Sequence, residues 1–257
     1  MKKKIVLFTA MLALLTSLRA QYAHFTSSGT IEYEKRANAY VLIQKIINKD
    51  NEAWLQPLYD YYKKNNPQFR TLTAKLEFGN NKTLYTPNET DLPQNPPIGD
   101  SPMMNQFNTI FTDIRNKNIV DQKKVFEQTY LVKDSVRKIK WKITDETRDI
   151  AGYTCRRANG IYLDSIYIVA FYTTRIPVAG GPESFNGLPG MILGVSLPHE
   201  NLTWFATKVT EGSIPPEAIV PPKKGKPTNE QELLKTLHDA SQNWGRIGVF
   251  YVKGFML

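Results

Sequence analysis

The chain has 257 residues, enough to bury one good core, with 33 Lys plus Arg against 24 Asp plus Glu and a formal net charge of +9. Its basic residues are scattered, with only short clusters such as Lys123-Lys124 and Lys223-Lys224, so the dense basic stripe that nucleic-acid binding asks for is missing and a solvated surface is expected instead. The single cysteine, Cys155, excludes an internal disulfide, and stability must come from packing.

The first residues read as a signal peptide. Lys2-Lys3-Lys4 is the charged region, Ile5 to Leu15 the apolar region, and Ala20 the small residue before a cut. A membrane anchor needs about 20 apolar residues, and this run is shorter. Loss of Lys2, Lys3, Lys4 and Arg19 with residues 1–20 leaves a net charge of about +5. The expectation is an exported protein, periplasmic or secreted, with no transmembrane segment after signal removal.

Ser28 to Glu34 alternates β-formers with polar residues and predicts a first strand. Residues 37–48 carry Tyr40, Ile43, Ile46 and Ile47 at helical spacing. Residues 50–65 predict a second helix, capped by Asp50 or Asn51, with Trp54, Leu55, Leu58 and Tyr62 on one face and Pro57 kinking or starting it. From Phe69 to Phe78, Leu72, Ala74, Leu76 and Phe78 share one strand face. Gly79 to Lys82 is a turn, 83–86 returns, and the proline-rich 87–102 is a loop. Further strands are predicted at 107–114, 119–126, 128–132, 138–143, 152–158 and 166–173, the last apolar on both faces and so central. Residues 144–149 are read as the turn between two of them.

Next comes Phe185-Asn186-Gly187-Leu188-Pro189-Gly190-Met191. Pro189 and Gly190 fit the centre of a type II turn, with positive φ at Gly190, feeding a buried strand from Met191. A turn at Pro198 to Asn201 should set Leu197, Val195 and Leu193 against Leu202, Trp204 and Ala206. Residues 214–227 form a proline-rich linker. Thr228 and Gln231 predict a capping box for a helix whose face is Leu233, Leu234, Leu237, Ala240 and Trp244. The organisation expected is therefore a signal peptide (1–20), a β-rich domain (21–213), a linker (214–227) and a C-terminal helix and tail (228–257).

Consecutive strands joined by short turns argue for a mainly β (α+β) fold, an antiparallel meander sheet, strongly curved, with two or three helices. That picture resembles the LolA-like half-barrel of periplasmic lipoprotein carriers.

The Gly187-Leu188-Pro189-Gly190-Met191-Ile192 run resembles the motif of the GLPGLI family of secreted Bacteroidetes proteins. So do Trp141-Lys142-Ile143, the run from Ile150 through Gly152-Tyr153-Thr154-Cys155 to Ala158, Ala170-Phe171-Tyr172-Thr173, Ile176-Pro177 and Gly181-Pro182. Met191 stands where the family has Leu and Phe171 where it has Trp, both mild apolar exchanges. The resemblance implies a secreted β-rich domain and no enzyme mechanism.

Catalytic constellations are sparse. His24, His199 and His238 have no zinc-ligand spacing. Ser184 lacks the frame of a hydrolase elbow. Cys155 is read as a small strand residue, although Arg156 and Arg157 would lower its pKa if close. Asp145, Glu146 and Asp149 suit a polar turn better than a calcium site. No catalytic residue, metal ligand or cofactor is assigned. The expected role is binding or carrying an apolar ligand or an outer-membrane partner, with Phe185, Gly187, Leu188, Pro189, Gly190 and Met191 as the candidate binding loop. The alternatives are an enzyme using Cys155 or an unrecognised acidic pair, and a structural envelope protein.

Overall fold

The computed structural model describes residues 25–88, 98, 101–163 and 165–257; the signal-peptide reading and most of the 87–102 loop lie outside them. Twelve strands form one sheet. The first six run as an antiparallel meander, β1 (Gly29–Asn38), β2 (Phe69–Gly79), β3 (Lys82–Pro87), β4 (Asn108–Asp113), β5 (Asn118–Val125) and β6 (Gln128–Ser135). A second meander holds β7 (Lys140–Ile150), β8 (Tyr153–Tyr162), β9 (Ile166–Thr173), β10 (Met191–Leu197) and β11 (Leu202–Glu211). The two are welded where β11 pairs antiparallel with β1. The centre of the sheet is thus β1–β11, and β9 is interior but nearer the β7 edge. At the other edge the proline-rich segment ends in β12 (Lys226–Thr228), which pairs parallel to β6.

The chain connectivity shows that this sheet is strongly curved. β6 and β7 are ten positions apart in strand order, about 48 Å if the sheet were flat. Yet only five peptide steps join Ser135 to Lys140, a reach of at most about 18 Å. The Arg137 side chain, on that connection, donates to the Tyr162 hydroxyl at the end of β8, at 2.5 Å. The two ends must curl towards each other, enclosing a concave face.

That face is written by alternation. On β1, Ile31, Tyr33, Lys35 and Ala37 are buried while Glu32 and Arg36 are exposed. The row continues through register: Lys35 opposite Trp204, Trp204 opposite Val195, Val195 opposite Ala170, and Ala170 opposite Ala158. Helices α1 (Ala39–Ile46), α2 (Glu52–Asn65) and α3 (Pro102–Asn105) fill the hollow with Leu42, Ile43, Leu55, Tyr59, Tyr62, Met103 and Met104. Helices α4 (Glu230–Ser241) and α5 (Gly245–Met256) pack Leu233, Leu237, Val252, Phe255 and Met256 against Val125 and Val132. No helix among the described residues is long and apolar enough to cross a membrane.

Several local expectations are corrected. Residues 144–149 are not a turn: β7 runs through them, with a register shift between Ile143 and Thr147, and the hairpin turns at Ala151-Gly152, both at positive φ. Trp54 is 56% exposed, because α2 buries Leu55, Tyr59 and Tyr62 instead. The cap of α4 is Asn229, whose side chain accepts from the Glu232 amide, rather than Thr228. Ala240 is exposed within that helix, Ser241 being buried in its place, Trp244 lies beyond its end, and the expected tail is the separate helix α5. In the β10–β11 hairpin Leu197 faces Leu202 and Val195 faces Trp204 as expected, but the ladder ends at the Gly194–Phe205 pair.

Candidate functional site

The loop from Ile176 to Gly190 folds back onto its own flanks. The Gly187 amide donates to Ala179 O, the Ile192 amide to Gly180 O, and the Met191 amide to Ile176 O. Phe185 is 1% exposed, with ring centroids 5.1 Å from Tyr162 and 5.4 Å from Trp204. Leu188 and Met191 are equally buried, whereas Gly187 and Pro189 lie at the surface. Gly187 takes φ 89°. Gly190 does not take a positive φ, so the turn is not type II. The Gly190 amide instead closes a three-residue turn on Leu188 O at 2.8 Å. Glycine is required there for a different reason: a Cβ would stand 2.1 Å from the Thr173 carbonyl oxygen at the end of β9.

The loop carries a buried charge inward. Glu183, at φ 50°, sits 3.9 Å from the Lys35 ammonium, and its Oε1 accepts from the Trp204 indole. Lys35 lies 5.2 Å from the centre of the Trp204 ring. On β5, Asp121 pairs with Lys123 at 3.0 Å, and Lys123 also donates to Phe255 O at 2.8 Å. All four charged side chains are buried. Burial pushes the Glu183 and Asp121 carboxyls above the usual carboxylate range and pulls the Lys35 amine below the usual lysine value. Asp121 Oδ1 and Glu183 Oε2 have no hydrogen-bond partner among the described residues. Beside them Arg137 bridges Glu230, Tyr162 and Met256 O, and the Tyr162 hydroxyl meets Ser184 Oγ at 2.6 Å. Sequence reasoning missed this acidic pair. The cavity beside Asp121 is about 30 Å³, room for roughly one water molecule, and is lined by Arg137, Glu230, Leu233 and Met256.

The opposite face of the sheet is open. Arg36, Thr203 and Ser196 form one cross-strand row, and Glu34, Phe205, Gly194 and Phe171 form the next. Of these, Arg36, Thr203, Ser196, Glu34 and Phe205 floor a groove of about 520 Å³, bounded by Asn38, Phe69, Arg148, Leu197, Pro198, Asn201 and Leu202. Two arginines lie over aromatic rings at the groove. Arg148 is 4.8 Å from the Phe205 ring centre and 5.8 Å from that of Phe171; Arg36 is 4.7 Å from that of Phe69. Gly194 leaves room for the Phe205 ring, since a Cβ there would meet that ring at 2.7 Å.

Cys155 is no nucleophile in this setting. Its thiol is fully buried, donates to Tyr153 O, and is pushed up to about 12 by burial. Arg156 and Arg157 are engaged elsewhere, with Asp145 and Glu146. Cys155→Ala should therefore cost only about 0–2 kcal/mol. The native thiol should resist alkylation until the chain unfolds; rapid labelling of the folded protein at pH 8 would contradict this.

Comparison with known proteins adds little chemistry. A family described as a protein of unknown function (Porph_ging) matches residues 161–194, the stretch from the end of β8 to mid-β10. No curated protein matches the chain. Two solved structures of PNGF-II resemble the fold. The form in space group P21 has 15% identity and a TM-score of 0.50 over 86% of this chain and 34% of that one. The C2 form has 14% identity and a TM-score of 0.51 over 85% and 33%. This chain spans about a third of the length of those structures, and at such identity the likeness is one of fold alone.

Proposed function

We propose that this chain is an exported binding module of the cell envelope, of the GLPGLI type, and that its ligand contact is the groove between Arg36 and Arg148. The observation that supports this reading is the open groove itself, with about 520 Å³ of free volume, against about 30 Å³ in the cavity beside Asp121. The hollow of the sheet is packed with the protein's own Leu42, Tyr59, Tyr62 and Met103, whereas the groove offers aromatic surface and polar groups side by side, as ligand sites do. Phe185 and Leu188 then serve the fold rather than the contact.

The test is mass spectrometry of material retained by native protein purified from envelopes. The wild type should bring a bound species that Arg36→Gln/Arg148→Gln loses at unchanged melting temperature. Equal loads on both proteins would overturn the groove. A second reading, an enzyme using the acidic pair Asp121 and Glu183, is favoured by their unpartnered oxygens. Under that reading, any turnover would vanish in Glu183→Gln and survive the groove variants.

A further inference from the structure

We infer that the groove takes an acidic polysaccharide, whose carboxylates meet the Arg36 and Arg148 guanidiniums. The inference rests on the groove being the ligand contact. Three features of the site lead to this ligand class.

The first is charge held in a fixed geometry. Arg148 stacks on Phe205 and Phe171 and has no ion-pair partner among the described residues. Arg36 stacks on Phe69, with Glu34 at 3.7 Å as its only ion-pair neighbour among the described residues. A guanidinium held over a ring face can still present N–H groups to a carboxylate, and the ring contact limits its positions before the ligand arrives.

The second is the state of the main chain. β1, β10 and β11, which floor the groove, are each paired on both sides. Their amides and carbonyls are spent in the ladders, so an extended peptide cannot add as a strand on the floor; the free edge nearby is that of β7, which carries Arg148. Recognition falls to side chains.

The third is which side chains those are. Thr203 and Ser196 are opposite each other across β11 and β10, and Asn38 and Asn201 stand at the strand ends. Hydroxyl and amide groups beside half-buried aromatic rings suit hydroxyl-bearing sugar rings, each with an apolar face and a polar rim. Peptide side chains alone would leave much of this comb unused.

The probe is a hexamer of galacturonic acid, read by calorimetry at low and at physiological salt. The wild type should bind it, and its methyl-esterified counterpart should bind at least about ten-fold more weakly, since esterification removes the charge-assisted bonds. Arg36→Gln/Arg148→Gln should lose at least about ten-fold, while the charge-matched surface variant Lys223→Gln/Lys224→Gln stays within about two-fold. Glu34→Gln should tighten binding, because it removes the one carboxylate facing the ligand. Equal affinity for the methyl ester, or for a glutamate hexamer, would overturn the polysaccharide assignment. So would an unchanged affinity in the double arginine variant. If no saccharide binds while the double variant still loses its envelope-derived species, the ligand class is wrong and the groove remains the contact. If that species is retained as well, the groove itself is wrong.

Discussion

Gly190→Ala should cost about 3–5 kcal/mol in chemical denaturation, an effect at the upper end for a single substitution. The added Cβ would stand 2.1 Å from Thr173 O, 2.8 Å from Thr173 C and 3.0 Å from Thr174 Cα. All three are backbone atoms, so no side-chain rotation relieves the clash. The strand pairing is what brings them close, since Met191 faces Thr173 in the β9–β10 ladder. Because the conflict arises at Cβ, Gly190→Val and Gly190→Asn should be about as damaging as alanine. A turn needing positive φ would instead rank asparagine clearly milder. Gly152→Ala is the control: Gly152 has φ 83° and nothing within 4 Å of an added Cβ, so it should cost only the left-handed strain of about 1–2 kcal/mol. If Gly190→Ala proved no worse than Gly152→Ala, or Gly190→Asn stayed near wild type, the close approach to Thr173 would be refuted.

The difference between those two glycines shows what the sequence can and cannot carry. Pro-Gly announces a turn, and a turn is there. Which conformation it takes depends on a carbonyl at the end of another strand, and that is a tertiary fact. Likewise alternation in 69–78 predicted its buried face correctly, because Leu72, Ala74, Leu76 and Phe78 answer to a local period. Residues 144–149 misled, since Thr-Asp-Glu-Thr-Arg-Asp is turn-like in composition while its β structure comes from pairing with β8. Helix α5 was missed because Gly245, Gly248 and Gly254 weaken its helical signal. Gly254 is there for close packing on α3, a Cβ meeting the Met103 amide at 2.8 Å. The polar interior was half legible. Lys35 falls in the alternating series Ile31, Tyr33, Lys35, Ala37, and Asp121 and Lys123 fall between Ile119 and Val125 in the same way. A charged residue at an inward position is a signal in itself. Its partner Glu183 comes from a loop about 150 residues on, and no local pattern joins them. The groove is not legible in the sequence, because Arg148 sits in a stretch of turn-like composition and Arg36 reads as a solvated charge until register sets it beside Thr203.

Lys35→Met should destabilise the protein by about 3–5 kcal/mol at neutral pH, the usual result of removing one member of a buried ion pair. Methionine fills much of the lysine's volume and keeps contact with Trp204, so lost packing is a minor part. The cost comes from Glu183, left buried without its nearest cation while Oε2 already lacks a partner. Its carboxyl is raised by burial, and Lys35 is among the groups that hold it down; removing that ammonium lifts it further. A carboxyl raised in the folded state contributes stability that is fully present below its unfolded value, about 4.3, and lost as pH rises through the folded value. The deficit of Lys35→Met against wild type should therefore be small near pH 4 and grow towards neutrality. Lys35 in the wild type acts at the other end of the scale: its folded value is lowered, so stability rises as pH climbs from there towards about 10.4. The double variant Lys35→Met/Glu183→Gln replaces both charges and should recover most of the loss at neutral pH, with a flatter profile between pH 4 and 7. Urea denaturation of the three proteins across that range decides the matter. A deficit independent of pH, or a double variant as unstable as the single one, would mean that Lys35 and Glu183 do not act as a pair.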